Sequence, residues 1–233
     1  MSTAPGRSQA SSHRSPQGEG TPVSTTVTYL FDPLCGWCYG ASPAVQKLGQ
    51  QSGIRLALAP TGLFAGGGRR MDTAFAEFAW SNDLRIAKLT GQRFTEAYRQ
   101  NVLGRHDSPF DSAAMTLALT AVSLTETQRE LEVLKALQEA RYVDGLDTGN
   151  ALAVGVLLRS LGLEAAADRL AALDAALLER NAARMGQARR LMQTLGAQGV
   201  PGLVVHSASG DRLLGGHALY GDFEHLLDQI VAG

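Results

Sequence analysis

The sequence predicts an α/β protein whose strand-bearing frame is interrupted by an all-helical block. Three observations carry that reading. Runs of β-branched, aromatic and aliphatic residues lie near both ends of the chain, at Thr26–Phe31, Ile54–Ala59 and Leu203–His206. Between them, from about Asp72 to Gly196, apolar residues recur at three- and four-residue spacing with no alternating stretch. The only two cysteines, Cys35 and Cys38, fall where the first run gives way to helix-forming residues.

Composition bounds what such a chain can do. Its 233 residues, 45% hydrophobic, suffice for a sizeable core and for one domain carrying an insertion. Lysine and arginine number 21 against 22 acidic residues, a net charge of −1, so no electrostatic footprint points to nucleic acid or to an anionic membrane. No run approaches roughly eighteen apolar residues, and the first twenty-odd positions lack the apolar centre of a secretory signal. The expected compartment is the cytoplasm, where a Cys-x-x-Cys pair serves redox chemistry or metal binding more readily than a structural disulfide.

In chain order, residues 1–24 are rich in Ser, Pro, Gly and Gln and read as a disordered tail, with Arg7, His13 and Arg14 solvated within it. The first strand, Thr26–Phe31, ends at Asp32-Pro33, and a helix is expected from Gly36 to about Gln50, closed by Ser52-Gly53 before the second strand. Strand, helix and strand with a short return form a βαβ unit. The glycine-rich stretch Pro60–Arg70 reads as a flexible connector, with an anion-cradling role for its amides and arginines as the weaker alternative. Breaks at Gly91, Gly104–Pro109, Asp144–Gly149 and Gly162 divide the helical block, with Thr125, Thr127 and Thr148 as candidate N-caps. Phe75 and Phe78, then Leu131, Leu134 and Leu137, then Leu170, Leu173 and Leu177 are expected to share helical faces. Trp80, Tyr98 and Tyr142 read first as packing and second as the lining of a substrate groove. After a turn at Gln198–Gly202, a strand over Leu203–His206, a hairpin turn at Gly210-Asp211, a return over Arg212–Leu214 and a helix from about Tyr220 to Val231 complete the chain. The frame thus comprises residues 25–62 and 186–233, and the helical insertion residues 63–185.

The chemistry concentrates at Cys35-Gly36-Trp37-Cys38. A thiol at Cys35 would occupy a helix N-terminus, where unpaired amides and the helix dipole favour thiolate, the species that attacks disulfides. Cys38, one turn on, is within reach to resolve the mixed disulfide that results. Gly36 and Trp37, enclosed by the two thiols, are expected to tune them.

The order βαβ, helical insertion, helix, ββα, together with Phe31-Asp32-Pro33-Leu34-Cys35-Gly36-Trp37-Cys38-Tyr39-Gly40 and Val200-Pro201 before the third strand, resembles the thioredoxin superfamily. It is most similar to the DsbA-like branch, in which a helical domain interrupts the thioredoxin fold, and within it to FrnE-like predicted protein-disulfide isomerases. The resemblance spans about residues 25–233, though its specific motifs are confined to the two active-site segments. It implies a thiol-disulfide oxidoreductase acting on protein or peptide thiols and disulfides, with glutathione as a further partner, and without a cofactor. It also implies that Pro201 is cis and faces the dithiol, and that the Val200 peptide group pairs with a substrate backbone. The sequence departs from thioredoxins at Tyr29, six positions before Cys35, where they bury an acidic residue. The nearest carboxylate is Asp32, as proton acceptor for Cys38 or as turn former.

Other classes read less well. A structural zinc site wants four ligands, and beyond the two cysteines only scattered histidines, among them His206, His217 and His225, are on offer, so no metal is expected; His106, beside Asp107, has no partner at ligand spacing either. A glutathione-dependent transferase or isomerase, of the kappa-class or hydroxychromene-carboxylate isomerase type, shares the implied fold but generally lacks the second cysteine. A non-catalytic scaffold would have no need of an intact dithiol.

Overall fold

The computed structural model describes Met1 and residues 25–232; apart from Met1, the tail expected over residues 1–24 lies outside the described residues. A four-stranded sheet runs in the order β2 (Ile54–Pro60), β1 (Thr25–Phe31), β3 (Gly202–Ser207), β4 (Gly210–Gly215). β1 and β2 are parallel, and β3 runs antiparallel to both β1 and β4. Alternation along β1 sends Val27, Tyr29 and Phe31 to one face, opposite Val205 and Leu203, and Leu30 to the other, beside Val204. Both faces are covered, so β1 carries large apolar residues on each.

One face packs on α1 (Gly36–Gly40), α2 (Ser42–Gln50) and α10 (Phe223–Val231), which contribute Cys38, Val45, Leu48, Leu226 and Ile230 to the core. The other face takes Ala188, Leu191 and Met192 from α9 (Ala175–Leu195). Between β2 and α9 run α3 (Thr73–Thr90), a short α4 (Glu96–Tyr98) that widens into a π-turn over Arg99–Leu103, α5 (Ala113–Thr125), α6 (Glu130–Tyr142), α7 (Ala151–Ser160) and α8 (Glu164–Ala172). α5 buries Met115, Ala118, Leu119 and Val122, and is apolar on nearly every side because α6, α7, α8 and α9 surround it.

The architecture follows the expected order, with several local corrections. The helix predicted from Gly36 to Gln50 breaks at Ala41, because Pro43 in the first turn of α2 has no N–H to give to the preceding turn. None of the three threonines caps a helix. Thr125 is the last residue of α5 and its hydroxyl turns back to the Ala121 carbonyl; Thr127 bonds the Ser123 carbonyl; Thr148 is buried while Asn150 caps α7. Leu170 and Leu177 are buried, but Leu173 is half exposed, since a left-handed turn there (φ 48°) ends α8 and the Asp174 side chain caps α9. The hairpin turn is Ala208-Ser209, so Gly210-Asp211 already belongs to β4. A 3₁₀ turn over Gly216–Tyr220 precedes α10, whose N-cap is Asp222.

The helical block is tied to the sheet by a buried ion pair. Arg184 of α9 bonds Glu130 of α6, the Thr120 hydroxyl and the Leu58 carbonyl on β2, and both charged side chains are only 8% exposed. Burial pushes the Glu130 carboxyl above its ordinary range in spite of the guanidinium beside it, so desolvation outweighs attraction at this pair. Arg184→Met, which strands the Glu130 charge, is therefore expected to lower unfolding free energy by about 3–5 kcal/mol in urea, whereas adding Glu130→Leu restores most of the loss.

Candidate active site

Cys35 is the N-cap of α1, with extended backbone angles, and its Sγ accepts the Cys38 N–H at 3.4 Å. The turn Asp32–Cys35 is closed by the Cys35 N–H on the Asp32 carbonyl, so the end of β1 delivers Cys35 to the helix start. Both thiols are free; Cys35 is the more exposed, and Cys38 is buried within the core. Burial raises the Cys38 thiol well above its ordinary range, and the Cys35 sulfur raises it further. On the opposite side of Cys35, its Sγ lies 3.9 Å from the Val200 carbonyl, and the Val200–Pro201 peptide is cis. The fold thus gathers Cys35, Cys38, Val200 and Pro201, 165 residues apart between Cys35 and Val200, at one end of the sheet.

Trp37 stands between two grooves. One, of about 640 Å³, is lined by Trp37, Leu89, Val200, Pro201, Gly216 and Tyr220. Tyr220 packs its ring 5.5 Å from that of Trp37 and donates its hydroxyl to the Trp37 carbonyl at 2.9 Å, which fixes this wall. The other, of about 310 Å³, opens beside Cys35 and is walled by Phe64, Phe75, Phe110, Asp83 and Tyr142 among others. Phe75 and Phe78 do stack, with ring centroids 6.5 Å apart, but Phe78 is 64% exposed at the groove rim rather than in the core. Tyr98 and Tyr142 are buried in an aromatic cluster and also line this groove, so packing and lining coincide; Trp80 packs on Tyr98 behind them.

Asp32 is a tie rather than an open carboxylate. Its Oδ1 accepts the Leu34 N–H at 2.8 Å, and its Oδ2 accepts the Phe64 N–H at 3.1 Å and the Ser112 hydroxyl at 2.8 Å. Burial raises its pKa, although these donors favour the charged form. Tyr29 donates its phenol to the Cys38 carbonyl at 3.3 Å. The glycine-rich stretch is fastened: its amides at Phe64 and Gly66 meet the carboxylates of Asp32 and Asp111, Arg69 stacks over Phe75 and Arg70 pairs with Asp107. Among the described residues no group of three or more His, Cys, Asp or Glu side chains is placed to hold a metal ion. His206 instead bridges Thr28 and Asp211 across the strands.

Sequence reasoning missed Asp83. It lies on the inner stripe of α3 with Ala79 and Ile86, is 5% exposed, and accepts the Tyr98 hydroxyl on Oδ2 at 2.9 Å. A lone acid on an otherwise apolar helical stripe is the signal that could have found it. The side chain is pressed against the dithiol turn: a Cβ built on Gly36 would lie 2.6 Å from Asp83 Oδ1 and 3.2 Å from Ile86 Cδ1, and one on Gly40 would lie 2.6 Å from Ile86 Cγ2.

A thiol-bearing turn at a helix start, facing an X-Pro peptide across a βαβ–ββα sheet, defines a thioredoxin-type protein with an inserted helical domain. The chain belongs to the DsbA-like thioredoxin domain family, whose profile matches residues 26–227. It is similar to the cytosolic disulfide reductase DsbM from Pseudomonas aeruginosa, at 31% identity over 89% of this chain and 98% of that one, with a TM-score of 0.78. The glutathione-bound structure of DsbM matches at 31% identity over 89% and 100% of the two chains, with a TM-score of 0.77. A 2-hydroxychromene-2-carboxylate isomerase shares the fold at 14% identity over 88% and 97%, with a TM-score of 0.57. No curated protein sequence matches the chain.

Two outcomes are expected from this packing. Gly36→Ala must displace Asp83 or shift α3, and is expected to cost about 1–3 kcal/mol of stability in a denaturant melt. Burial raises the Asp83 carboxyl from 3.8 to about 7, so folding favours its protonated form. The stability this contributes is complete below about pH 4 and is lost as pH rises to about 7, roughly 4 kcal/mol in all. Asp83→Asn is expected to flatten the fall in melting stability across that window.

Proposed function

We propose that this protein is a thiol-disulfide oxidoreductase that uses Cys35 as nucleophile and Cys38 as resolving thiol on disulfides presented against the Val200–Pro201 peptide. The observation that carries the reading is the meeting of three groups: Cys35 Sγ within hydrogen-bond range of both the Cys38 amide and the Val200 carbonyl, and the second thiol buried one turn behind. Similarity to a cytosolic disulfide reductase supports reduction as the working direction and the cytoplasm as the compartment; no helix among the described residues is long and apolar enough to cross a membrane.

In that direction the Cys35 thiolate attacks one sulfur of R–S–S–R′, forming Cys35–S–S–R and releasing R′S⁻, which takes a proton to become R′SH. The attack bonds the Cys35 sulfur and so removes its contribution, second to burial, to holding the Cys38 thiol protonated. Cys38 then loses its proton and attacks Cys35 Sγ, closing the Cys35–Cys38 disulfide and expelling RS⁻, which takes up a proton in turn. Two thiols of the glutathione class return the enzyme to the dithiol while being oxidised to their own disulfide, a partner supported by the glutathione-bound structure of DsbM. Gly36 permits the close approach of α3, and Trp37 separates the groove beside Cys35 from the one beside Pro201, so both act on the pair through packing.

Insulin reduction or refolding of scrambled ribonuclease with glutathione tests the reading. Cys35→Ser is expected to reduce turnover to background. Cys38→Ala is expected to lose turnover while accumulating a mixed disulfide on Cys35 that is visible by mass. A glutathione transferase or isomerase of the same fold would keep its activity in Cys38→Ala, and that result would overturn the proposal.

A further inference from the structure

Asp83 and Cys35 come from different parts of the chain, yet they line the same groove. Asp83 Oδ2 is engaged by Tyr98, while Oδ1 takes no hydrogen bond among the described residues and is held against Gly36, the residue that follows Cys35. The charged and titratable groups facing it are Cys35 at the start of α1, Tyr98 from α4, and Arg141 and Tyr142 from α6. Of these, Tyr98 donates directly, and the Arg141 guanidinium lies over the Tyr98 and Tyr142 rings, one layer behind. The remainder of the wall is mostly apolar, Phe64, Phe75, Ile86 and Phe110 among it, and these side chains screen a charge far less than water does; the amide of Asn82, also in the lining, is engaged by the Phe78 carbonyl.

We infer that Asp83 is a further determinant of the thiol-exchange reaction: as a carboxylate it opposes the negative charge of the Cys35 thiolate, and as a carboxylic acid it does not. The inference rests on the exchange reading above. Its chemistry is the equilibrium E(SH)₂ + GSSG ⇌ E(S–S) + 2 GSH, in which two electrons pass from the dithiol to glutathione disulfide. Only the reduced side can carry a thiolate at Cys35, so an ionised Asp83 destabilises the dithiol and makes the protein the stronger reductant. Burial moves the carboxyl's titration to about 7, into the range where thiols also begin to ionise. The Tyr98 hydrogen bond favours the ionised form, so removing it delays ionisation to higher pH.

The test equilibrates the full chain with glutathione buffers at about pH 5.5, 7.0 and 8.5 and measures the oxidised fraction by thiol alkylation and mass. Comparing each variant with wild type at the same pH cancels the titration of glutathione itself. Asp83→Asn is expected to match wild type at the lowest pH and to favour the dithiol by about threefold or more at the highest. Tyr98→Phe is expected to resemble Asp83→Asn at pH 7.0 and to return to wild type at pH 8.5. An Asp83→Asn offset that is the same at every pH, or none at all, overturns the inference, because packing changes do not titrate. Should Asp83→Asn fail to fold, Tyr98→Phe decides: an offset confined to the middle pH supports the inference and a constant one overturns it. A wild-type chain that forms no Cys35–Cys38 disulfide in any buffer overturns the exchange reading together with this inference, whereas normal wild-type exchange with pH-independent variants overturns the inference alone.

Discussion

The fastening of the Asp32 carboxylate is the constraint on which the site depends. Its two oxygens take three donors from three places: Leu34 in the turn after β1, Phe64 in the glycine-rich stretch and Ser112 just before α5. A buried carboxylate without such partners would be costly, and with them it holds each donor in a defined place. The turn that carries Cys35, the stretch that walls the groove and the central helix of the insertion therefore meet at one side chain. Tyr142 adds a second tie, donating its hydroxyl to the Leu34 carbonyl at 2.9 Å from within the helical block.

From that anchorage the asymmetry of the two thiols follows. Cys35 caps a short helix at the mouth of a groove, where its sulfur meets one amide and one carbonyl. Cys38, three residues later on the same turn, points into the core. Burial discourages Cys38 from ionising, and the neighbouring Cys35 sulfur adds to that. In the proposed exchange, the order of the two steps is set by where the chain places each sulfur.

Much of this was legible in the sequence, for physical reasons. The strands, the long helical interruption and the dithiol at a strand-to-helix handover all rest on local patterns, and Val200-Pro201 was recognisable through the family resemblance. What was not legible depends on contacts across the chain. Asp32 could be read as a turn former but not as the acceptor of Phe64 and Ser112, because those donors lie 32 and 80 residues away. The glycine-rich stretch has a flexible composition, yet Asp32, Asp111 and Asp107 fix it. The end of α8 at Leu173 was missed because the left-handed residue is not glycine. The threonine caps were misplaced because hydroxyls at helix ends and turns also bond backward to preceding carbonyls.

The insertion is more than a cover for the sheet. α3 meets α1 through Gly36 and Gly40, one helical turn apart, and side chains there would collide with Asp83 and Ile86. Gln92, just beyond α3, donates to the Tyr39 carbonyl at 2.9 Å, which closes the same contact from its far end. The residues between and after the cysteines are therefore constrained by the helical block as much as by the sheet. That accounts for a glycine at position 36, where the dithiol turn itself imposes no left-handed backbone. Asp32 and Asp83 differ in their partners: the first accepts from three fixed donors, and the second has one oxygen, against the dithiol turn, that takes no hydrogen bond among the described residues. A carboxyl of the second kind can change charge without unfastening the site, so on the proposed exchange reading the frame supplies the thiols and the insertion the field around them.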